Sequence, residues 1–275
     1  MPVGVSVADV APCTWPHRAA INRHSPLLMG QKASREAITA MSIKLLTFDL
    51  DNTLWDVEPI VLRAEKFMRE WIRREHPEFA GRFDFRHFNA LREAVLSERQ
   101  DIAHDLTQLR LEVLRRAFAG AGYAPSAAEA AAQGAFEEYF RERNTVAYFP
   151  GVLETLAGLR AEFDLYALSN GNADIARVGL GHVFSRHFSA ISVGAPKPDP
   201  RIYQAALEAA RVAPEQVIHI GDHPEQDVAA AAALGIRTVW VNFTDQPWPE
   251  LPPADAEVRS FAEIPLAVRR LAGRG

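Results

Sequence analysis

The chain has 275 residues, with 30 Lys and Arg against 35 Asp and Glu, nine His and one Cys, Cys13. That length allows one large domain or two smaller ones, while a single Cys rules out an internal disulfide scaffold or a thiolate zinc cluster and makes a reducing, cytoplasmic compartment the default. A formal net charge of -5 gives no broad basic field for a phosphate backbone, and no apolar run approaches the roughly 20 residues that cross a bilayer, so neither nucleic acid nor a membrane is an expected partner.

Residues 1–40 contain Pro2, Pro12, Pro16 and Pro26 and present no apolar face, which predicts a disordered N-terminal extension without the continuous apolar stretch of a secretory signal. Met41 directly precedes the first strand pattern and is a candidate translation start. Ile43 to Phe48 is a short apolar run ending in acidic residues, the pattern of a buried parallel strand. Glu58 to about Arg143 then reads as helices alone. Ile60, Ala64, Met68, Trp71 and Ile72 share one face, and similar faces recur around Val95, around Val113 and Leu114, and around Phe136 and Tyr139, predicting a four-helix bundle.

After Pro150-Gly151 helix and strand alternate. Helices are expected at 152–161, near 174–178, at 200–210 and at 225–234, and strands at 165–169, 190–193, 217–220 and 237–241. Alternation with nearly continuous apolar strands predicts an α/β fold, a Rossmann-like parallel-sheet core with helices on both faces. The expected organisation is therefore an extension at 1–40, a core formed by 41–56 and 149–275, and an inserted helical cap at 57–148.

Four polar groups fall at strand ends, where open α/β sheets place their ligand crevice. Asp49 and Asp51, in Asp49-Leu50-Asp51-Asn52-Thr53, put two carboxylates on one side of extended chain, although an Asp capping the next turn is an equal reading. Ser169-Asn170, followed by Gly171, suits a phosphate oxygen or an ordinary turn. Lys197 lies between Pro196 and Pro198 in a chain with four Lys and 26 Arg, so it reads as an aimed point charge more readily than as a solvated loop residue. Asp222 and Asp227 follow the apolar run 217–220; Asp227 would also complement a helix dipole. Two like charges about 4 Å apart repel by roughly 4 kcal/mol at an effective dielectric near 20, so clustered Asp49, Asp51 and Asp222 call for a cation. An all-oxygen set favours Mg²⁺.

In this order the four groups resemble the haloacid dehalogenase superfamily of phosphohydrolases, in the subclass with a helical cap inserted after the first motif. The resemblance covers about residues 42–245. It implies that Asp49 is the nucleophile forming an aspartyl-phosphate, that Asp51 protonates the leaving oxygen and then activates water, and that Lys197 steadies the transferring group. Thr53, Ser169 and Asn170 would hold phosphate oxygens. Mg²⁺ would be bound by Asp49, the Asp51 carbonyl and Asp222, with Asp227 in support. Departure of a halide needs no proton, so Asp51 favours a phosphatase over a dehalogenase.

Within the superfamily, Asp51 to Glu65, Ile102 to Thr107, Asn170-Gly171-Asn172 and Gly179-Leu180-Gly181 resemble the phosphatases of riboflavin synthesis. These act on flavin mononucleotide and 5-amino-6-(5-phospho-D-ribitylamino)uracil, so a small phosphorylated metabolite is the expected partner. Trp55 would stack on a flat heterocycle or pack the cap on the core. His104, Asp105 and Arg110 are candidate specificity residues, a solvated helix face being the alternative. A receiver-like signalling domain shares the residue types, but it lacks a large helical insertion and places its reactive Asp on a middle strand. A non-catalytic binding protein on the same fold would need a fault that the motifs do not reveal.

Overall fold

The computed structural model describes residues 42–273; the N-terminal extension, Cys13 and the candidate start at Met41 lie outside the described residues. In chain order, β1 (Leu45–Phe48) is followed by α1 (Val57–Glu75), α2 (Pro77–Arg82), α3 (His87–Glu98), α4 (Leu106–Gly120) and α5 (Pro125–Arg143). The chain then runs through α6 (Val152–Arg160), β2 (Asp164–Ser169), β3 (Arg186–Ser189), α7 (Ala190–Val193), α8 (Arg201–Ala210) and β4 (Val217–Gly221). A π-helical segment at Pro224–Ala229 leads into α9 (Ala230–Ala232), and β5 (Arg237–Val241), β6 (Ala256–Val258) and α10 (Ile264–Leu271) complete the fold.

The six strands form one parallel sheet in the order β3-β2-β1-β4-β5-β6. Alternation along each strand divides the apolar side chains between two faces. Leu46, Phe48, Leu165, Ala167, Ile218 and Ile220 pack in one cluster with Leu156 of α6 and Val268 of α10. Leu45, Tyr166, Leu168 and Val217 point the other way, onto Ile202, Tyr203 and Ala206 of α8. Covering on both faces explains why these strands read as continuous apolar runs. The α/β reading of the sequence is thus the observed architecture.

The four expected amphipathic faces lie on α1, α3, α4 and α5. Pro77, at the first position of α2, starts one further short helix, whose Phe79 is fully buried with its ring centroid 4.3 Å from that of Phe118. These helices hold apolar clusters of their own, one around Met68, Ile72, Phe118 and Phe136 and a smaller one around Val95, Ile102 and Val113. The two chain crossings between helices and sheet run side by side, with a bridge between Trp55 and Tyr148 and a Phe149 N–H donating to the Leu54 carbonyl at 2.9 Å.

Two local expectations are corrected. Residues 174–178 form turns instead of a helix; the Asp174 carboxylate accepts from Ala176 N and Arg177 N and closes a local turn. Residues 190–193 form α7, and the strand is β3, immediately before it. Ser189 and Ser192 make a reciprocal capping box that starts the helical turn, and Gly194, at φ 74°, ends it. No helix among the described residues is long and apolar enough to cross a membrane.

Candidate active site

The strand order places Asp49 after β1 next to Asp222 after β4, with Ser169 ending β2. These are the carboxyl ends of three adjacent strands, at the point where the order of the sheet changes direction. The loop carrying Lys197 reaches the same point from the far side of β2. Its buried ammonium donates to Asp49 Oδ1 at 2.6 Å, Asp227 Oδ1 at 2.6 Å and the Leu168 carbonyl at 3.0 Å. All three ammonium donors are thereby used. Asn170 holds this loop from both ends of its amide. Its Oδ1 accepts from Lys197 N at 2.7 Å, and its Nδ2 donates to the Lys197 carbonyl at 3.0 Å and to Gln226 Oε1 at 2.9 Å.

Asp49, Asp222 and Asp227 each offer one carboxylate oxygen within 4.8 Å of the others, a group that could hold a metal ion. The fully buried Thr53 hydroxyl lies 3.1 Å from Asp222 Oδ1 and 3.3 Å from Asp49 Oδ2, joining two of them. Asp227 is fixed on every side. Its Oδ1 also faces His219 Nε2 at 3.1 Å, and its Oδ2 accepts from His223 N at 2.9 Å. Gly221 is required by this packing, because a Cβ there would lie 2.4 Å from Asp227 Cγ.

Burial pushes the Asp49 carboxyl well above its ordinary range; Lys197 works against that rise, and Asp227 and Asp222 add to it. Asp222 is pushed up to about 7, first by burial and then by the charge of Asp227. Burial acts upward on Asp227 too, but there Lys197 and His219 prevail and hold the carboxyl below its usual range. Burial opposes the charge on Lys197, and Asp227 and Asp49 more than offset it, so the ammonium is held above its ordinary pKa. Three carboxylates therefore meet one ammonium, with Asp222 the least compensated.

The Asp51 carboxylate faces the same small cavity, of about 140 Å³, which is also lined by Asp49, Ser169, Asn170, Asp222 and Asp227. It accepts from Trp55 Nε1 at 2.8 Å and from Arg143 Nη2, at 2.9 Å to Oδ1 and 2.6 Å to Oδ2. The Ser169 hydroxyl accepts from Gly171 N at 3.0 Å. A Cβ on Gly171 would lie 2.4 Å from Asp51 Oδ2, so a side chain there would displace the Asp51 carboxylate.

The remaining candidates are distributed differently. Trp55 is fully buried and meets Tyr148 edge-on, with centroids 5.9 Å apart; of the two readings of this residue, the structure has the packing one. The Asp105 carboxylate caps α4, accepting from Thr107 N and Gln108 N, and lines neither the small cavity nor the larger one beside it. His104 lines neither the small cavity nor the larger one beside it, whereas Arg110 lines the larger and lies over the Tyr139 ring at 3.7 Å. Sequence reasoning missed Arg143 and the buried pair Thr47 and His219, whose Oγ1 and Nδ1 are 2.8 Å apart beneath Asp227. Both had a signal: Arg143 falls four residues after Tyr139 on the buried stripe of α5, and His219 interrupts an otherwise apolar strand.

Replacing Lys197 by Met should cost about 3–5 kcal/mol of stability at pH 8, because two buried carboxylates lose their shared partner. The cost should be smaller at pH 5, where those carboxyls take up protons. Urea unfolding at the two pH values measures it, and a loss below about 1 kcal/mol at pH 8 would contradict this account of the cluster.

Comparison with known proteins gives a consistent picture. Residues 43–235 match the haloacid dehalogenase-like hydrolase family. The 5-amino-6-(5-phospho-D-ribitylamino)uracil phosphatase of Escherichia coli is 32% identical over 199 residues, 72% of this chain and 83% of that protein. The phosphoserine phosphatase of Thermus thermophilus is 39% identical over 165 residues, 58% of this chain and 64% of that protein. A crystal structure of 2-haloacid dehalogenase from Pseudomonas syringae superposes with a TM-score of 0.80 at 36% identity, covering 83% of this chain and 99% of that one. The family match spans the Asp49, Lys197 and Asp222 loops alike, and the chain belongs to the haloacid dehalogenase-like hydrolases.

Proposed function

We propose that the chain is a Mg²⁺-dependent phosphomonoesterase working through an aspartyl-phosphate on Asp49. The observation that carries this reading is the meeting of Asp49, Asp222 and Asp227 within 4.8 Å, with Lys197 Nζ 2.6 Å from Asp49, in a cavity that Asp51 also faces. An all-oxygen donor set with uncompensated negative charge suits Mg²⁺. Asp49, the Asp51 carbonyl and Asp222 would hold it, with Asp227 in support. When bound, the ion supplies positive charge to the phosphoryl oxygens.

The side chains of the chain account for the rest. Lys197 neutralises charge on Asp49 and on the transferring group while keeping the attacking carboxylate in place. The acylphosphate on Asp49 divides a slow hydrolysis into two easier steps, and Asp51 gives its proton to the leaving alkoxide in the first and takes one from water in the second. Ser169 lines the phosphate end, and Thr53 positions the Asp49 and Asp222 carboxylates behind it. Residues 57–148 act as a cap whose closure excludes water, hinged near Trp55 to Glu58 and Tyr148 to Gly151. The paired crossings at Trp55 and Tyr148 support this division.

The curated relatives include both phosphatases and (S)-2-haloacid dehalogenases, and the structural neighbours include dehalogenases. Displacing halide from carbon needs a carboxylate nucleophile but neither a leaving-group acid nor a carboxylate in the position of Asp222, so the site favours the phosphate ester. Flavin mononucleotide and 5-amino-6-(5-phospho-D-ribitylamino)uracil are the first esters to assay, followed by other sugar and nucleotide phosphates.

Turnover of p-nitrophenyl phosphate should require Mg²⁺, stop on EDTA and fall at least about 10³-fold in Asp49→Asn; undiminished activity in that variant would remove Asp49 as the nucleophile. Asp51→Asn should lose about 10²–10⁴-fold on alkyl phosphates and far less on p-nitrophenyl phosphate, whose leaving group needs no proton. Equal losses on both would exclude Asp51 as the acid. Because protons compete with the ion for Asp222, whose carboxyl titrates near 7, Mg²⁺ should raise the melting temperature more at pH 8 than at pH 5.5. An equal rise at both, measured by calorimetry, would argue against Asp222 as a ligand.

A further inference from the structure

Among the described residues, three buried side-chain nitrogens have no hydrogen-bond partner: Arg69 Nε, Arg143 Nη1 and His187 Nε2. Two of them belong to residues lining one cavity, of about 430 Å³, bounded by α1, α3, α4 and α5 and by Gly171 and Asn172. Four arginines line it, Arg69, Arg92, Arg110 and Arg143, against two carboxylates, Asp51 and Glu65. Both carboxylates are already engaged. Glu65 lies 2.9 Å from Arg69 and 3.6 Å from Arg110, and Asp51 takes the Nη2 of Arg143. Arg92 is itself paired with Glu93 at 3.2 Å, so the positive charge left over on these walls is the one that Arg69 and Arg110 carry in excess of their shared Glu65.

Most of the other lining is apolar, with Met68, Leu109 and Val113 among its side chains. The cavity shares Asp51 and Gly171 with the small acidic cavity at Asp49. One molecule can therefore occupy both, with its phosphoryl group in the acidic compartment and its alcohol in the basic one.

We propose that the larger cavity receives a leaving alcohol carrying a second anionic group, a carboxylate or another phosphate, on a partly apolar body. This rests on the phosphomonoesterase reading and narrows its substrate class. The planar forks of Arg69, Arg110 and Arg143 match such oxyanions, whereas the neutral ribityl alcohols of the two esters named above leave the positive charge unmatched.

The test compares three alkyl esters with leaving groups of similar basicity: hexyl phosphate, 6-phosphonooxyhexanoate and hexane-1,6-diyl bisphosphate. The wild-type enzyme should prefer at least one charged ester over hexyl phosphate by about tenfold or more in kcat/KM, and which one it prefers separates carboxylate from phosphate recognition. Arg69→Gln and Arg110→Gln should each reduce that ratio several-fold, while Arg74→Gln, an exposed arginine paired with Glu75 on the same helix, should leave it as in the wild type. In a measurement independent of any variant, 6-hydroxyhexanoate should inhibit p-nitrophenyl phosphate turnover at about tenfold lower concentration than hexan-1-ol. Turnover of all three esters without preference, equal inhibition by acid and alcohol, or equal loss of the ratio in Arg74→Gln would overturn the anion pocket and leave the phosphatase reading standing. Failure to hydrolyse p-nitrophenyl phosphate with Mg²⁺ would overturn both.

Discussion

One buried ammonium, shared between Asp49 and Asp227, sets the terms for the surrounding structure. An isolated charge in that position would carry a desolvation cost of several kcal/mol, so Lys197 and its two partners are mutually necessary. Other features follow from the need to hold that geometry. Asn170 clamps the backbone of Lys197, His219 and Thr47 support Asp227 from below, and Gly221 leaves room for the Asp227 carboxylate. The sheet contributes by bringing the ends of β1 and β4 together, which no local sequence pattern could do alone.

Asp51 belongs to a different electrostatic environment from Asp49, although only one residue separates them. Asp49 faces the ammonium, whereas Asp51 is gripped by Arg143 from the last turn of α5 and by Trp55 at the crossing into the helices. In the phosphatase reading, the carboxylate that must move a proton is thus held by the helical segment, and the one that attacks phosphorus is held by the sheet.

The parallel sheet was legible because strands covered on both faces are buried along nearly their whole length and so mostly apolar, as β1, β4 and β5 are. β3 was misplaced for the converse reason. It lies at an edge, pairs only with β2, and its Arg186-His187-Phe188-Ser189 is too polar to announce a strand. The three-residue β6 is too short to carry a pattern, and α2 is set off only by Pro77. At the site, Asp49, Ser169 and Asp222 could be identified from sequence because each sits at or just past the end of a mostly apolar run. Their partners were harder to find. Arg143 is separated from Asp51 by 92 positions, and one charged residue among Arg141-Glu142-Arg143-Asn144 differs from its neighbours only by its face of the helix.

The bridge from Trp55 to Tyr148 means that the chain leaves the sheet and returns to it through practically the same gap. The long excursion between those residues is topologically a loop on β1, however elaborate its contents. Its length and make-up can therefore change without rethreading the strands or shifting their register. A lineage could exchange that whole module for another while inheriting the carboxylate cluster at the strand ends unchanged.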